Sequence, residues 1–187
     1  MTIILELSRP EMVVSTLLKH YPNERRRGRM RPYYQAMLDE IRQLAVPRAI
    51  AQEFPLEKVP ELQSLCTAET VAVVLALCTL GTAVDTHYSQ LSQDDMMLAA
   101  IFDEIALSWV VGATREVHGK VRQEMAEREL KAGPAYRPGI GRWPLTSQYT
   151  IFTLLPTHLI HVALNEQAVM TPRMSTSLII PILDRRP

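Results

Sequence analysis

The hydrophobic pattern of this chain divides into strands and helices from its first residues. Thr2 to Leu7 is short, β-branched and closed by Ser8-Arg9-Pro10, which predicts a strand. Pro10 then opens a predicted helix, with Ser8 or Arg9 as its cap region and Met12, Val13, Thr16 and Leu17 as its stripe. Tyr34, Met37, Leu38, Ile41 and Leu44 recur at helical spacing, so Tyr33 to Leu44 predicts a second helix, stopped by Val46-Pro47. Arg48 to Phe54 fits a short strand, and Pro55 to Glu69, with mixed charge, reads as a linker. Thr70 to Leu80 is the clearest strand, because its continuous apolar run suits a central position buried on both faces.

Past Gly81, Asp85 to Leu91 predicts a helical turn or short helix. Ser92, with Asp95 three residues later, is the expected cap of the longest helix, which runs to about Lys131. Leu98, Phe102, Ile105, Trp109 and Ala113 share one side of it. Arg115 to Lys131 is mostly charged and is expected to project into solvent. Gly133 and Pro134 end that helix, and a proline- and glycine-rich loop runs to Pro144. Leu145 to Leu155 predicts a short helix capped by Thr146 or Ser147, and Leu159 to Leu164 and Ser175 to Leu183 the last two strands. The sum is an α+β fold, a mixed or mainly antiparallel sheet packed with helices, in a single domain over residues 1–187.

Composition narrows the function classes. Twenty basic residues balance twenty acidic ones, so no whole-surface attraction to nucleic acid or anionic lipid is expected. No uninterrupted apolar run reaches the roughly 18 residues that suggest a membrane span. The N-terminus meets Glu6 without a basic region, so no signal peptide is expected and the chain reads as cytoplasmic. Cys66 and Cys78 sit in apolar surroundings and are expected to be free, buried thiols. There is no CxxC and no HxxxH. His158 and His161 would point to opposite faces of a strand, and His87 and His118 are expected to be isolated and solvated. Charge is densest in Arg25-Arg26-Arg27-Gly28-Arg29-Met30-Arg31, inside a segment bounded by Pro22 and Pro32. That segment reads as a solvated loop or as a contact for phosphate or an acidic partner surface. Nucleic-acid binding is not expected of it, because no aromatic residues interleave its arginines.

Three segments carry a family resemblance. The first is the apolar strand ending Thr79-Leu80-Gly81, followed by helix residues Ala99-Ala100-Ile101-Phe102-Asp103-Glu104-Ile105-Ala106. The second is Tyr136-Arg137-Pro138-Gly139-Ile140-Gly141-Arg142-Trp143-Pro144-Leu145, with Gln148 beyond it. The third is Glu166, then Met170-x-Pro172-x-x-Ser175-x-Ser177. In order and spacing, residues 70–182 resemble the reactivation domain of vitamin B12-dependent methionine synthase and its short stand-alone relatives. The resemblance implies a domain that binds S-adenosylmethionine and docks on a corrinoid so that oxidised cobalt can be reductively remethylated. It implies cobalamin reached through a partner, a corrinoid protein or cobalamin-dependent methyltransferase. Any enzymatic role would then belong to the methionine synthase system.

By the same resemblance the ligand site falls on Arg137, Pro138, Gly139 and Gly141, with Asp103 and Glu104 on the helix. The loop from Arg137 to Gly141 would form a cleft wall with its amides facing inward, and Arg137, the cation inside the motif, would meet a carboxylate. The chain departs from the family where the loop arginine falls on Ala135, the loop tyrosine on Ile140 and the helix acid on Val111. Two further readings stand beside the first. One is a non-catalytic interaction or assembly protein that retains the fold without the ligand site. The other is an enzyme reusing the cleft, for which no Ser/His/Asp or Cys/His set is visible. Asp103 or Glu104, where either faces the core, requires a partner, and Tyr136 and Trp143 read as loop anchors.

Overall fold

A computed structural model describes residues 2–63 and 66–184, and the statements below concern these. Residues 64 and 65, inside the expected 55–69 linker, lie outside the described residues. The strands are β1 (Thr2–Glu6), β2 (Arg48–Pro55), β3 (Thr70–Thr79), β4 (Leu130–Ala132), β5 (Ala163–Leu164), β6 (Met170–Thr171) and β7 (Ser175–Asp184). The helices are α1 (Val14–Leu17), α2 (Glu24–Leu44), α3 (Pro60–Gln63), α4 (Thr82–Asp94), α5 (Met96–Glu127) and α6 (Ser147–Leu154). Five strands form one sheet in the order β1-β2-β3-β7-β4, antiparallel throughout, and β5 pairs with β6 separately. The fold class is α+β, with β3 central between β2 and β7 as its unbroken apolar run requires.

Strand alternation splits the core into two layers. Ala49 and Ala51 of β2, Ala72, Val74, Ala76 and Cys78 of β3, and Leu178, Ile180 and Ile182 of β7 face α5. Ile50 and Phe54, Val73, Leu75 and Leu77, and Ile179 face the other way, onto Trp143, Ile151 and the Val59–Leu62 turn. The α5 face of β2 and β3 is mostly alanine, so the helix lies close and needs only one apolar residue per turn: Ala113, Val117, Val121 and Met125. A third cluster ties Tyr34, Met37, Leu38 and Ile41 of α2 to Phe102, Ile105 and Trp109 of the first half of α5.

Several expectations are corrected. The second half of α5 does not project into solvent; Val117, Val121 and Met125 are buried on the sheet. The helix ends at Glu127, and Leu130–Ala132 is a strand. Its N-cap is Asp95, whose Oδ1 accepts from the amides of Met97 and Leu98; Ser92 lies inside α4, bonded to the Ser89 carbonyl. The arginine segment is helix rather than loop. Asn23 caps α2 by accepting from the Arg26 amide at 3.0 Å, arginine is a good helix former, and Pro32 sits inside the helix. Gly28 and Pro32 are both exposed, so the proline, which offers no N–H to the Gly28 carbonyl, lies on the solvent side of the helix. The first helix starts at Val14 rather than Pro10, and of Leu159 to Leu164 only Ala163–Leu164 is strand, after a 3-10 turn over Thr157–Ile160. His87 is not isolated, since its Nε2 lies 2.5 Å from Glu40 Oε2, nor is His118, whose Nε2 lies 2.8 Å from the Gly133 carbonyl. Among the described residues α5 is the helix long and apolar enough to cross a membrane, but twelve of its residues between Ala99 and Met125 are buried in the core, while Leu107 is exposed.

Candidate functional site

The loop that carries the second motif continues the sheet. After β4, the Gly133 amide donates to the Pro181 carbonyl at 2.8 Å, and Tyr136 exchanges two backbone bonds with Ile179, each of 2.9 Å. Residues 130–136 therefore run extended along β7, and their side chains alternate. Ala135 packs on the α5 side, while Tyr136 turns to the opposite side and stacks on Trp143, with ring centroids 4.9 Å apart. Arg137 returns to the α5 side, where its Nη2 donates to Thr114 Oγ1 at 3.0 Å. The Thr114 hydroxyl in turn donates to the Val111 carbonyl at 2.8 Å. Two motif positions thus meet across the gap, because Val111 is where the resemblance places the helix acid.

The loop then closes on itself. Gly139 has φ +87°, a conformation that favours glycine, and a Cβ there would press on Leu145 Cδ1 at 3.3 Å. The Gly139 amide donates to the Trp143 carbonyl at 2.8 Å and the Ile140 amide to the Arg137 carbonyl at 3.1 Å. These two amides are consumed within the loop, which corrects the expectation that they face a cleft. A cleft does lie beside the loop. It measures about 760 Å³ and runs between α5 and β4, lined by His118, Arg122, Leu130, Lys131, Gly133 and Pro134. Arg137 does not itself line this cleft; the lining residues nearest to it along the chain and to its partner Thr114 are Pro134, three residues before Arg137, and His118, one helical turn beyond Thr114.

Cys78 lies on the same face of β3. Burial pushes its thiol up to about 12, opposed by the Arg137 charge and reinforced by Glu116. Cys66 is half-buried rather than buried, and desolvation raises its thiol as well. In thiol titration at pH 8, Cys78 is expected to stay unreactive in the folded protein and to react only after denaturation. Fast native labelling of Cys78 would contradict this packing.

The first and third motifs serve the scaffold. Thr79 and Ser175 are register partners, and the Ser175 hydroxyl donates to Thr79 Oγ1 at 2.9 Å in the core. Thr79 Oγ1 also accepts the Gly81 amide, fixing the turn into α4. Asp103 has the partner that its position demands: Arg173 Nη1 lies 2.8 Å from its Oδ1, although the N–H is not aligned for a hydrogen bond. The Arg173 guanidinium also covers the Tyr88 ring at 4.1 Å, and Asp85 accepts the Arg173 and Met174 amides. Glu104 accepts from the Tyr34 hydroxyl at 2.5 Å and lies 3.7 Å from His20 Nδ1. Burial first, then Glu104, pushes the Tyr34 phenol well above its usual range.

Arg137, Pro138, Gly139 and Gly141 thus share one loop, whereas Asp103 and Glu104 sit about 15–17 Å before Thr114 along α5, each with a protein partner. The six candidates do not converge. Sequence reasoning missed Thr114, whose role depends on a fold contact 23 residues apart. It also missed Arg173, although the need of Asp103 for a partner and the place of Arg173 inside the third motif together signalled it.

No protein-family model matches the chain, and no curated protein matches it. Among solved structures, it is similar to a crystal structure of the MetH reactivation domain bound to AdoHcy, with a TM-score of 0.70 and 16% identity. The match covers 100% of this chain and 79% of that one, so the two share the fold.

Proposed function

We propose that this protein is an accessory of corrinoid metabolism, a cytoplasmic protein that takes S-adenosylmethionine or its demethylated product in the cleft between α5 and β4. Its partner on this reading is a corrinoid protein or cobalamin-dependent methyltransferase, through which it meets cobalamin. The observation that carries the reading is the placement of Arg137. Positions 135 and 137 of an extended segment share a face, so Arg137 brings a guanidinium to the side where the resembling family places its loop arginine. The guanidinium reaches the Val111–Thr114 turn, and the adjoining cleft of about 760 Å³ has the size of a small-molecule site. The fold shared with an AdoHcy-bound domain supports the same reading.

Thr114 is a neutral partner, so Arg137 remains free to pair with a carboxylate, and a charge-assisted bond of that kind contributes about 1.5–3 kcal/mol. Calorimetric titration with S-adenosylmethionine and AdoHcy is expected to show binding that Arg137→Ala weakens roughly tenfold to a hundredfold. Arg142→Ala is expected to matter less, since Arg142 lies outside the gripping part of the motif. A parallel titration with cobalamin tests direct contact with the corrinoid. Binding unchanged in Arg137→Ala would remove Arg137 from the site.

The second reading is an interaction protein that keeps the fold without the ligand. It is favoured by the Gly139 and Ile140 amides being spent inside the loop and by Ile140 standing 61% exposed at its tip. Absence of S-adenosylmethionine binding at millimolar concentration would transfer the assignment to it.

A further inference from the structure

The helical arginine segment makes a second pocket, far from the first. Arg26, Arg29, Met30 and Tyr33 follow one another at i, i+3, i+4 and i+7 on α2, so they form a single stripe. That stripe, with Tyr21 before the helix and Met97 at the start of α5, encloses about 540 Å³. Met97 and Thr114 are 17 residues apart on α5, which separates this pocket from the Arg137 cleft by roughly 25 Å.

Charge in the pocket is one-sided. Among the described residues, neither Arg26 nor Arg29 has a carboxylate partner. The acids around them are engaged elsewhere: Glu24 with Arg27, Asp95 with the amides of Met97 and Leu98, and Glu104 with Tyr34. Two guanidinium forks one turn apart can bracket a single tetrahedral anion. The remaining walls are apolar but not aliphatic. Tyr21, whose ring packs at 4.2 Å from His20 and edge-on to Tyr34, and the 43% exposed Tyr33 supply aromatic surface, and two thioethers can adapt to a planar group.

We propose that this pocket binds a small aromatic phosphomonoester, with the phosphate between Arg26 and Arg29 and the ring against Tyr21, Tyr33 and the two methionines. Neither half of the ligand suffices. Inorganic phosphate forgoes the ring contacts, and a neutral ring leaves two guanidinium groups unpaired.

The test uses 1-naphthyl phosphate, whose fluorescence anisotropy reports binding and which carries no adenosine to compete for the Arg137 cleft. The full chain is expected to bind it at least tenfold more tightly than either 1-naphthol or inorganic phosphate, each measured by competition. The double variant Arg26→Gln, Arg29→Gln is expected to weaken it roughly tenfold to a hundredfold. Tyr33→Ala is expected to weaken it several-fold. All three positions are exposed, so a melting temperature unchanged in these variants assigns the loss to the pocket. Arg137→Ala is expected to leave naphthyl phosphate binding intact, so failure here and failure at the Arg137 cleft are told apart. The proposal is overturned if 1-naphthyl phosphate binds no better than phosphate. It is equally overturned if the double variant binds as the parent does, or if a single-stranded oligonucleotide binds with steep salt dependence where the monoester does not.

Discussion

Leu75→Ala is expected to lower the unfolding free energy by about 2–5 kcal/mol, the usual range for a large-to-small change in a tight core. Leu75 is fully buried at the midpoint of β3, paired on one side with Gln52 and on the other with Ile179. Its side chain enters the layer formed with Ile50, Leu77, Trp143 and Ile151, so three flanking elements would have to move to fill the space of the lost carbons. Phe102→Ala tests the third cluster, between α2, α4 and α5, and is expected to cost a similar amount. Phe102 is fully buried on α5 and meets the His87 ring edge-on at 5.0 Å. Its loss would open the contact between α2, α4 and α5 together. Urea unfolding followed by circular dichroism measures both, and a loss below about 0.5 kcal/mol at both sites would mean that neither cluster is packed as described.

How legible each part was depends on whether its signal is local. β3 and β7 were readable because strands buried on both faces carry near-continuous apolar runs, here Ala72 to Cys78 and Leu178 to Leu183. The arginine segment was not, because Pro32 and the charge run resemble a loop, and the Asn23 cap carries information only once the helix exists. The expected strand from Leu159 to Leu164 was overdrawn because Ile160 and Val162 reach the core from the end of a 3-10 turn just as well. The site divides along the same line. Gly139, Pro138 and Trp143 are set by local backbone and stacking, and their motif announced them. The reach of Arg137 to Thr114 follows from β4 running along β7 into the loop, and β4 was hidden inside a predicted helix.

Val121→Asp is expected to destabilise the protein by about 3–5 kcal/mol at pH 7, the scale set by leaving a charge buried without a partner. The charged stretch after Arg115 looks like a solvated helix end, and on that reading the substitution would be nearly silent. The structure instead buries Val121 to 6% exposure in the layer that holds Ala51, Val74 and Ala76. An aspartate there loses the apolar burial and brings a carboxylate against alanine side chains. The nearby cation Arg128 is already committed, since its guanidinium grips both oxygens of Glu53. Glu124, one turn on, adds repulsion rather than relief. Desolvation would raise the new carboxyl above its unfolded value of about 4. A raised folded-state value places the full stability below the unfolded value and removes it as pH rises through the folded one, so the variant is expected to be less impaired at pH 4 than at pH 7. Gln123→Asp, on the exposed side of the same helical turn, is the control and is expected to change stability by no more than about 0.5 kcal/mol. Equal effects at 121 and 123 would return the second half of α5 to solvent and with it dissolve the wall of the cleft beside Arg137.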